Sequence, residues 1–360
     1  MECWNVGGKP DVSHFIYHQL EFNHQPSITL FQTPFFHYSI FPSFQYGWHP
    51  KLQLNAKIQK IADDLFLIPL TPPMTGFSNF FSAWLYQGKI TCLIDVGPSS
   101  TAPDLLRALR ELNIDQLDYI LLTHIHLDHA GAIGEIAAVF SQPQIVCHPL
   151  GLSHLTEPSR LWEGTKKVLG SMALEYGPIK PIAANRLLEA SRFHNEFITP
   201  IFTPGHAAHH VSFQTEKYLF AGEAGGVHRA MASNSYYLRP ATPPRFFLDV
   251  AVQSLDALIA CRATTICYGH FGIQKDAVKM LQAHRKQLLL WERLIKDEMD
   301  HHKNGIETQD LIVACLTRLL KEDPLMATFD QLPPHVQERE TDFLQNSIKG
   351  YLGWLDSKNR

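Results

Sequence analysis

From Ile61 to Tyr268 the chain alternates short apolar runs with turn signals and amphipathic stretches. Leu65 to Leu70 (LFLIPL), Phe80 to Tyr86 (FFSAWLY) and Ile90 to Val96 (ITCLIDV) predict three successive strands, the last two joined by a turn at Gln87, Gly88 and Lys89. Thr101 to Asp104 predicts a helix start capped by Thr101, and Leu105, Leu109 and Leu112 follow at the spacing of one docking face. Tyr119 to Leu122 (YILL) is the kind of run expected of a strand covered on both faces. A helix over Ala130 to Phe140 and a strand over Gln144 to Cys147 come next, and strand signals recur at Ile198 to Phe202, Tyr218 to Phe220 and Thr264 to Tyr268. This alternation predicts an α/β fold.

Both ends of the chain break that pattern. Residues 1–55 are crowded with Phe, Tyr, His and Pro, carry few charges and keep no period for long, so an irregular N-terminal extension is expected there. After His270 the apolar spacing becomes helical over Ala277 to Met299, Thr308 to Leu320 and Val336 to Leu355. The expected organisation is thus an extension over 1–55, a main domain over 56–273 and a helical region over 274–360. Trp291 and Trp354 read as core anchors of that last region.

Composition narrows the function classes. Hydrophobic residues make up 45% of the 360 and charged residues 18%, which suits a globular protein with a sizeable core. A formal net charge of −4 leaves no global positive excess to hold a polyanion, so nucleic acid is not the expected partner and a small molecule is. The six cysteines are scattered without a C-x-x-C pair and read as buried free thiols. With no long apolar stretch and no basic-then-apolar start, the expected location is cytoplasmic, away from membranes. Histidine, at 20, is the unusual count.

The histidines concentrate in one place. LLTHIHLDHAG, running from Leu121 to Gly131, puts His124, His126, Asp128 and His129 on a loop leaving a buried strand. Three further strand-like runs end in His206 (TPGH), Glu223 (AGE) and His270 (YGH), and groups at strand ends of an open α/β sheet converge across a crevice. Neutral imidazoles and carboxylates suit a borderline divalent ion, with zinc expected and iron or manganese as alternatives. Four candidate ligands in six residues are too many for one catalytic metal, so two ions sharing the set are the natural division.

HIHLDH resembles the H-x-H-x-D-H signature of the metallo-β-lactamase superfamily, and the later His206, the Gly222–Glu223 pair and His270 fall in that family's order. IDVG around Asp95 is similar to its early Asp-x-Gly element, so the likeness spans Ile61 to His270. It implies an αββα sandwich, here with a C-terminal helical extension, carrying a dinuclear site at one edge. By position His124, His126 and His206 would bind one metal and Asp128, His129 and His270 the other. The bridging position departs from the pattern: the family usually has Asp, whereas residue 223 is Glu. Asp95 is the candidate acceptor for a ligand histidine's other N–H.

The resemblance implies a metal-dependent hydrolase of glyoxalase II or lactonase type, in which a metal-bound hydroxide attacks a small ester, thioester or lactone and Asp128 accepts or relays a proton. Three other readings compete with it. A metallonuclease or phosphodiesterase is disfavoured by the net charge and by an interval between Glu223 and His270 too short for the extra domain of larger nucleic-acid-processing relatives. Glu223 keeps open an oxidoreductase of the non-haem iron, sulfur dioxygenase type, and a non-catalytic binding protein would use the same pocket. A homodimer is compatible with the family. His148, His209, His210 and His228 are expected to be ordinary packing or surface residues, and so are Lys166, Lys167, Arg229, Arg239, Arg245, Tyr236 and Tyr237, although the arginines and tyrosines lie where an anionic substrate could meet them. Specificity is expected from the Gly151 to Asn185 insertion, the stretch after Glu223 and the C-terminal helices.

Overall fold

The computed structural model describes residues 57–232, 235–270, 272–302, 305 and 307–358. The extension expected over 1–55, with Cys3, lies outside the described residues. The first sheet takes its seven strands in chain order: β1 (Gln59–Ala62), β2 (Leu65–Leu70), β3 (Phe81–Gln87), β4 (Thr91–Ile94), β5 (Tyr119–Leu121), β6 (Gln144–Cys147) and β7 (Leu187–Glu189). It is antiparallel from β1 to β4 and parallel from β4 to β7. The parallel half requires crossovers, which α1 (Ala102–Glu111), α2 (Leu127–Ala130) and α3 (Ile133–Val139) supply, and α4 (Leu152–Thr156), α5 (Ser159–Leu169) and α6 (Ser171–Tyr176) occupy the stretch between β6 and β7.

The second sheet is built from β8 (Thr199–Phe202), β9 (Val211–Gln214) and β10 (Tyr218–Gly222), which precede a separate hairpin of β11 (Val227–Ala230) and β12 (Tyr236–Arg239). Helix α7 (Leu248–Ala260) leads to β13 (Thr265–Tyr268) and β14 (Ile273–Lys275), giving a spatial order of β14, β13, β10, β9, β8. Strands β10 and β13 are parallel, so both end at the same edge. Three long helices close the chain: α8 (Ala277–His301), α9 (Thr308–Glu322) and α10 (Pro334–Lys358).

Strand alternation explains the layering. Along β2, Leu65 and Leu67 point between the sheets, where they join Trp84, Ile94, Leu121 and Val146 against Val211, Phe213 and Phe220. Ile68 and Leu70 point outward and pack with Leu105 and Leu109 of α1 and Ile133 and Ile136 of α3. On the far side Leu219 and Ile266 join Leu255, Leu281, Trp291, Leu344 and Trp354 from α7, α8 and α10. Three apolar layers therefore separate helices, sheet, sheet and helices, which is the αββα sandwich. The C-terminal helices share the third layer with the second sheet. Trp84 ties the sheets together, its Nε1–H donating to Tyr268 O at 2.9 Å.

Two local expectations need correction. Helix α1 begins where predicted, but Thr101 does not cap it with its side chain. Residues 99–101 already form a 3-10 turn, and the Thr101 hydroxyl donates back to Pro98 O at 2.8 Å. Asp128 and His129, expected on a loop, sit on the single turn of α2, closed by Ala130 N–H donating to His126 O at 2.8 Å. The five described cysteines are free, four of them buried and Cys261 half-buried. Among the described residues no helix is long and apolar enough to cross a membrane.

Candidate metal centre

The C-terminal ends of β4, β5, β10 and β13 open on one edge of the sandwich, and the short connections that leave them carry the polar residues. Asp95 follows β4, His124 and His126 lie between β5 and α2, Glu223 follows β10 and His270 follows β13. His206 comes from the loop between β8 and β9. With Asp128 and His129 of α2, the structure brings seven side chains together as two groups, His124, His126, His206 and Glu223 in one and Asp128, His129 and His270 in the other, with candidate donor atoms within 4.8 Å of one another in each. His124, His126 and His206 thus fall in one group and Asp128, His129 and His270 in the other, with the expected bridging residue Glu223 grouped with the first.

Glu223 lies between the groups. Its Oε2 is 2.8 Å from His206 Nε2 and 3.3 Å from His124 Nε2, while its Oε1 is 3.0 Å from His270 Nε2. Oε1 thus turns to His270, while Oε2 turns to His206 and His124 and also lies 3.6 Å from His129 Nε2. Asp128 Oδ2 stands 3.7 Å from the Nε2 atoms of both His129 and His270. Among the described residues Nε2 of His124 and Nε2 of His129 are buried without a hydrogen bond. Buried ring nitrogens are costly to leave unsatisfied, and several of them aimed at shared carboxylates form a donor set that fits divalent ions.

Hydrogen bonds behind the site fix which nitrogen faces inward. Asp95 Oδ1 accepts from Thr123 N–H at 2.7 Å, and Oδ2 accepts from the Thr123 hydroxyl at 2.8 Å and from His129 Nδ1 at 2.9 Å. Because that hydroxyl donates to Asp95, it can only accept from His124 Nδ1, 3.1 Å away. His206 Nδ1 donates to Ala241 O at 3.0 Å. In each case Nδ1 carries a proton, so Nε2 is the nitrogen presented to a ligand.

His210, expected to be a packing residue, is not in either donor group but holds Glu223 from behind. Its Nε2 accepts from Glu223 N–H at 3.1 Å, and its Nδ1 donates to the Thr203 hydroxyl at 2.8 Å. The approach requires glycine at 222, which has φ +54°, because a Cβ there would lie 2.4 Å from His210 Nε2. No local sequence signal distinguishes His210 from His209, whose ring stands 5.3 Å from that of His126.

Electrostatics follow from this crowding. Burial alone would raise Glu223, but the charges of His206 and His270 outweigh it and hold the carboxyl ionised, well below its usual range. Burial also opposes charge on His129, yet Asp128, Asp95 and Glu223 prevail and raise it to about 9. His124 is driven well below its ordinary value, first by burial and then by the neighbouring His129 charge. Ion binding here must therefore displace a proton from His129.

The other sequence candidates have structural roles. His148 Nδ1 accepts from Leu150 N–H at 3.0 Å, and His228 stacks on Tyr268 with ring centroids 4.7 Å apart. Arg239 is buried in an ion pair with Glu340, and Lys166 pairs with Glu163 at 2.8 Å. The Tyr237 ring is buried in the third layer, and Tyr236 stacks near His228.

Residues 81–270 match the family model described as the metallo-beta-lactamase superfamily. The chain is 30% identical over 240 residues to a metallo-beta-lactamase fold-containing protein of Sulfurisphaera tokodaii, covering 64% of this chain and 86% of that one. It is 27% identical over 221 residues to a hydroxyacylglutathione hydrolase of Stenotrophomonas maltophilia, with 61% and 72% covered. A crystal structure of an archaeal metallo-beta-lactamase superfamily protein from Sulfolobus tokodaii superposes with a TM-score of 0.54 at 28% identity, over 63% of this chain and 87% of that one. With the αββα layers, the strand-end histidines and the shared carboxylate already in place, these matches establish that the chain belongs to the metallo-beta-lactamase superfamily.

Proposed function

We propose that this chain is a dinuclear metal-dependent hydrolase that cleaves a small ester, thioester or lactone. The observation that carries the proposal is Glu223 set between two histidine groups and in contact with both, beside the inward-facing Nε2 atoms of His124 and His129, which have no hydrogen bond among the described residues. His124, His126 and His206 would hold one ion, Asp128, His129 and His270 the other, and Glu223 would contact both. Zinc suits this mixture of imidazole and carboxylate, and iron or manganese would be accepted by the same donors. When bound, such ions supply an acidified water and a Lewis acid for the carbonyl oxygen.

The chain's own residues prepare and serve that chemistry. Asp95 and Thr123 hold Nδ1 of His129 and His124, so that Nε2 faces inward on both rings, with that of His129 freed for a ligand once its proton is displaced. Asp128 is partly exposed, unlike Glu223, and lies near both His129 and His270, so it is the carboxylate placed to accept a proton at the attacking water and return it to the leaving group. The hydroxyacylglutathione hydrolase among the relatives favours thioesters within this class. A small-molecule substrate fits the net charge of −4 better than a nucleic acid does.

The test is metal analysis of the purified protein together with a hydrolysis screen across thioesters, lactones, phosphodiesters and RNA. Two equivalents of divalent metal and metal-dependent turnover of a carbonyl ester are expected, with His126→Ala inactive. Full activity in metal-free protein or in His126→Ala would sink the proposal, and so would cleavage confined to phosphodiesters. An iron-loaded protein that consumes oxygen with a persulfide would replace hydrolysis by oxidation.

A further inference from the structure

Three of the inward-facing histidines have their outer nitrogen held by a hydrogen bond: His124 by Thr123, His129 by Asp95 and His206 by Ala241 O. His270 differs. Among the described residues its buried Nδ1 has no hydrogen-bond partner, so no polar group holds the ring on the side away from Glu223. What does lie on that ring is Phe80, stacked with centroids 4.4 Å apart and planes 30° apart, with Phe81 at 5.6 Å and tilted by 50°. The guanidinium of Arg339, from α10, lies 3.7 Å from the centre of the Phe80 ring. Arg339 is pinned in turn, with Nε and Nη2 donating to Glu340 Oε1 at 3.1 and 2.7 Å and Nη1 donating to Gly76 O. Phe80, Arg339 and Glu340 are all buried.

We propose that His270 is oriented for metal binding by this stack, in which Glu340 fixes Arg339, Arg339 fixes Phe80, and Phe80 fixes the plane of His270. Phe80 and Arg339 are positioning residues, since neither touches the reacting atoms. The arrangement replaces the usual hydrogen-bonded support of a ligand histidine by aromatic and cation–π contact. It also makes a helix near the end of the chain part of the support of one half-site, the group of Asp128, His129 and His270, and leaves the His124, His126 and His206 group outside its reach. The inference rests on the proposed ligand role of His270.

Stepwise titration of metal-free protein with Co²⁺, followed by visible absorption, separates the two equivalents. Phe80→Leu removes the ring, and Arg339→Lys keeps the charge facing Glu340 while removing the flat stacking group. For Phe80→Leu the expected result is a loss of roughly 10–100-fold in affinity for one Co²⁺ equivalent, the size typical for the partners that orient a metal ligand, with the other equivalent and its spectrum unchanged. Arg339→Lys should weaken the same equivalent by a smaller factor, and this variant carries the test if Phe80→Leu does not fold. Two unaltered equivalents in a folded variant would overturn the inference. So would equal weakening of both, accompanied by a lower melting temperature of the metal-free protein, because that pattern signals general loosening. A wild-type protein that takes up no Co²⁺ removes the metal reading itself, and this inference with it.

Discussion

Glu223 and His206 are joined within one donor group, Oε2 to Nε2 at 2.8 Å, while the other oxygen of the same carboxylate reaches the second group, 3.0 Å from His270 Nε2. The extra methylene relative to aspartate is used to span the gap from a backbone fixed by Gly222 and His210. Glu223→Gln keeps the shape but replaces one anionic oxygen by an NH₂ group that cannot bind a cation. We expect its metal content to fall from two equivalents to one or fewer after reconstitution. Glu223→Asp, although it restores the residue usual in the family, should recover at most one of the two contacts. Two tightly held equivalents in Glu223→Gln, measured by elemental analysis, would refute the bridging role.

Asp95 accepts three hydrogen bonds, from Thr123 N–H, the Thr123 hydroxyl and His129, and does so from a left-handed backbone at φ +55° that asparagine also tolerates. Asp95→Asn should therefore fold. Its amide can accept through only one oxygen, so His129 or Thr123 loses its partner. A fall of roughly 10–100-fold in metal affinity is expected. Calorimetric titration of the metal-free protein checks it, and an unchanged dissociation constant would show that Asp95 does not support His129.

Much of this arrangement was legible before any coordinates, and the reason is physical. His124, His126, Asp128 and His129 are close in sequence, and strand-end placement of His206, Glu223 and His270 follows from short apolar runs bounded by turn signals. Of the support behind those residues, Asp95 is legible in the sequence and the rest is not. Phe80 meets Arg339, and His210 meets Glu223, only through long-range packing that leaves no periodic trace. Thr101 misled because the preceding residues had already begun to coil, so a good capping residue was inside a turn rather than ahead of it. Arg239 lies near the site in sequence, yet its charge is committed to Glu340 in α10.

That buried ion pair predicts an acid-labile core. Burial would raise the Glu340 carboxyl, but the charges of Arg239 and Arg339 outweigh it and lower the pKa from 4.5 to about 2. A folded value below the unfolded one means the stabilisation is fully present above about pH 4.5 and is lost as pH falls toward about 2. The melting temperature of the wild type should drop across that window. Glu340→Gln should lose roughly 3–5 kcal/mol at neutral pH, because two buried guanidinium groups are left without their carboxylate, and its melting temperature should then depend less on pH between 4.5 and 2. Parallel pH profiles for the two proteins would contradict the assignment.

Gly350 links the C-terminal helix to the other half of the site. A Cβ there would lie 2.5 Å from Pro243 O and 2.8 Å from Thr242 O, both backbone atoms, so either α10 or the 240–243 segment must shift in Gly350→Ala. That segment supplies Ala241 O to His206 and is held to α10 by the Thr242 hydroxyl donating to Ser347 O at 3.1 Å. The overpacking should cost about 1–3 kcal/mol of stability. Displacement of Ala241 O should also free the His206 ring and weaken binding of the ion proposed for His124, His126 and His206, the opposite half from the one proposed to depend on Phe80. Denaturant unfolding measures the first effect and stepwise Co²⁺ titration the second. Stability lowered with the affinity of both equivalents intact would mean that the helix holds the fold at this point without setting His206, whereas selective loss of the His206 equivalent would show that one helix supports each half of the site through a different contact.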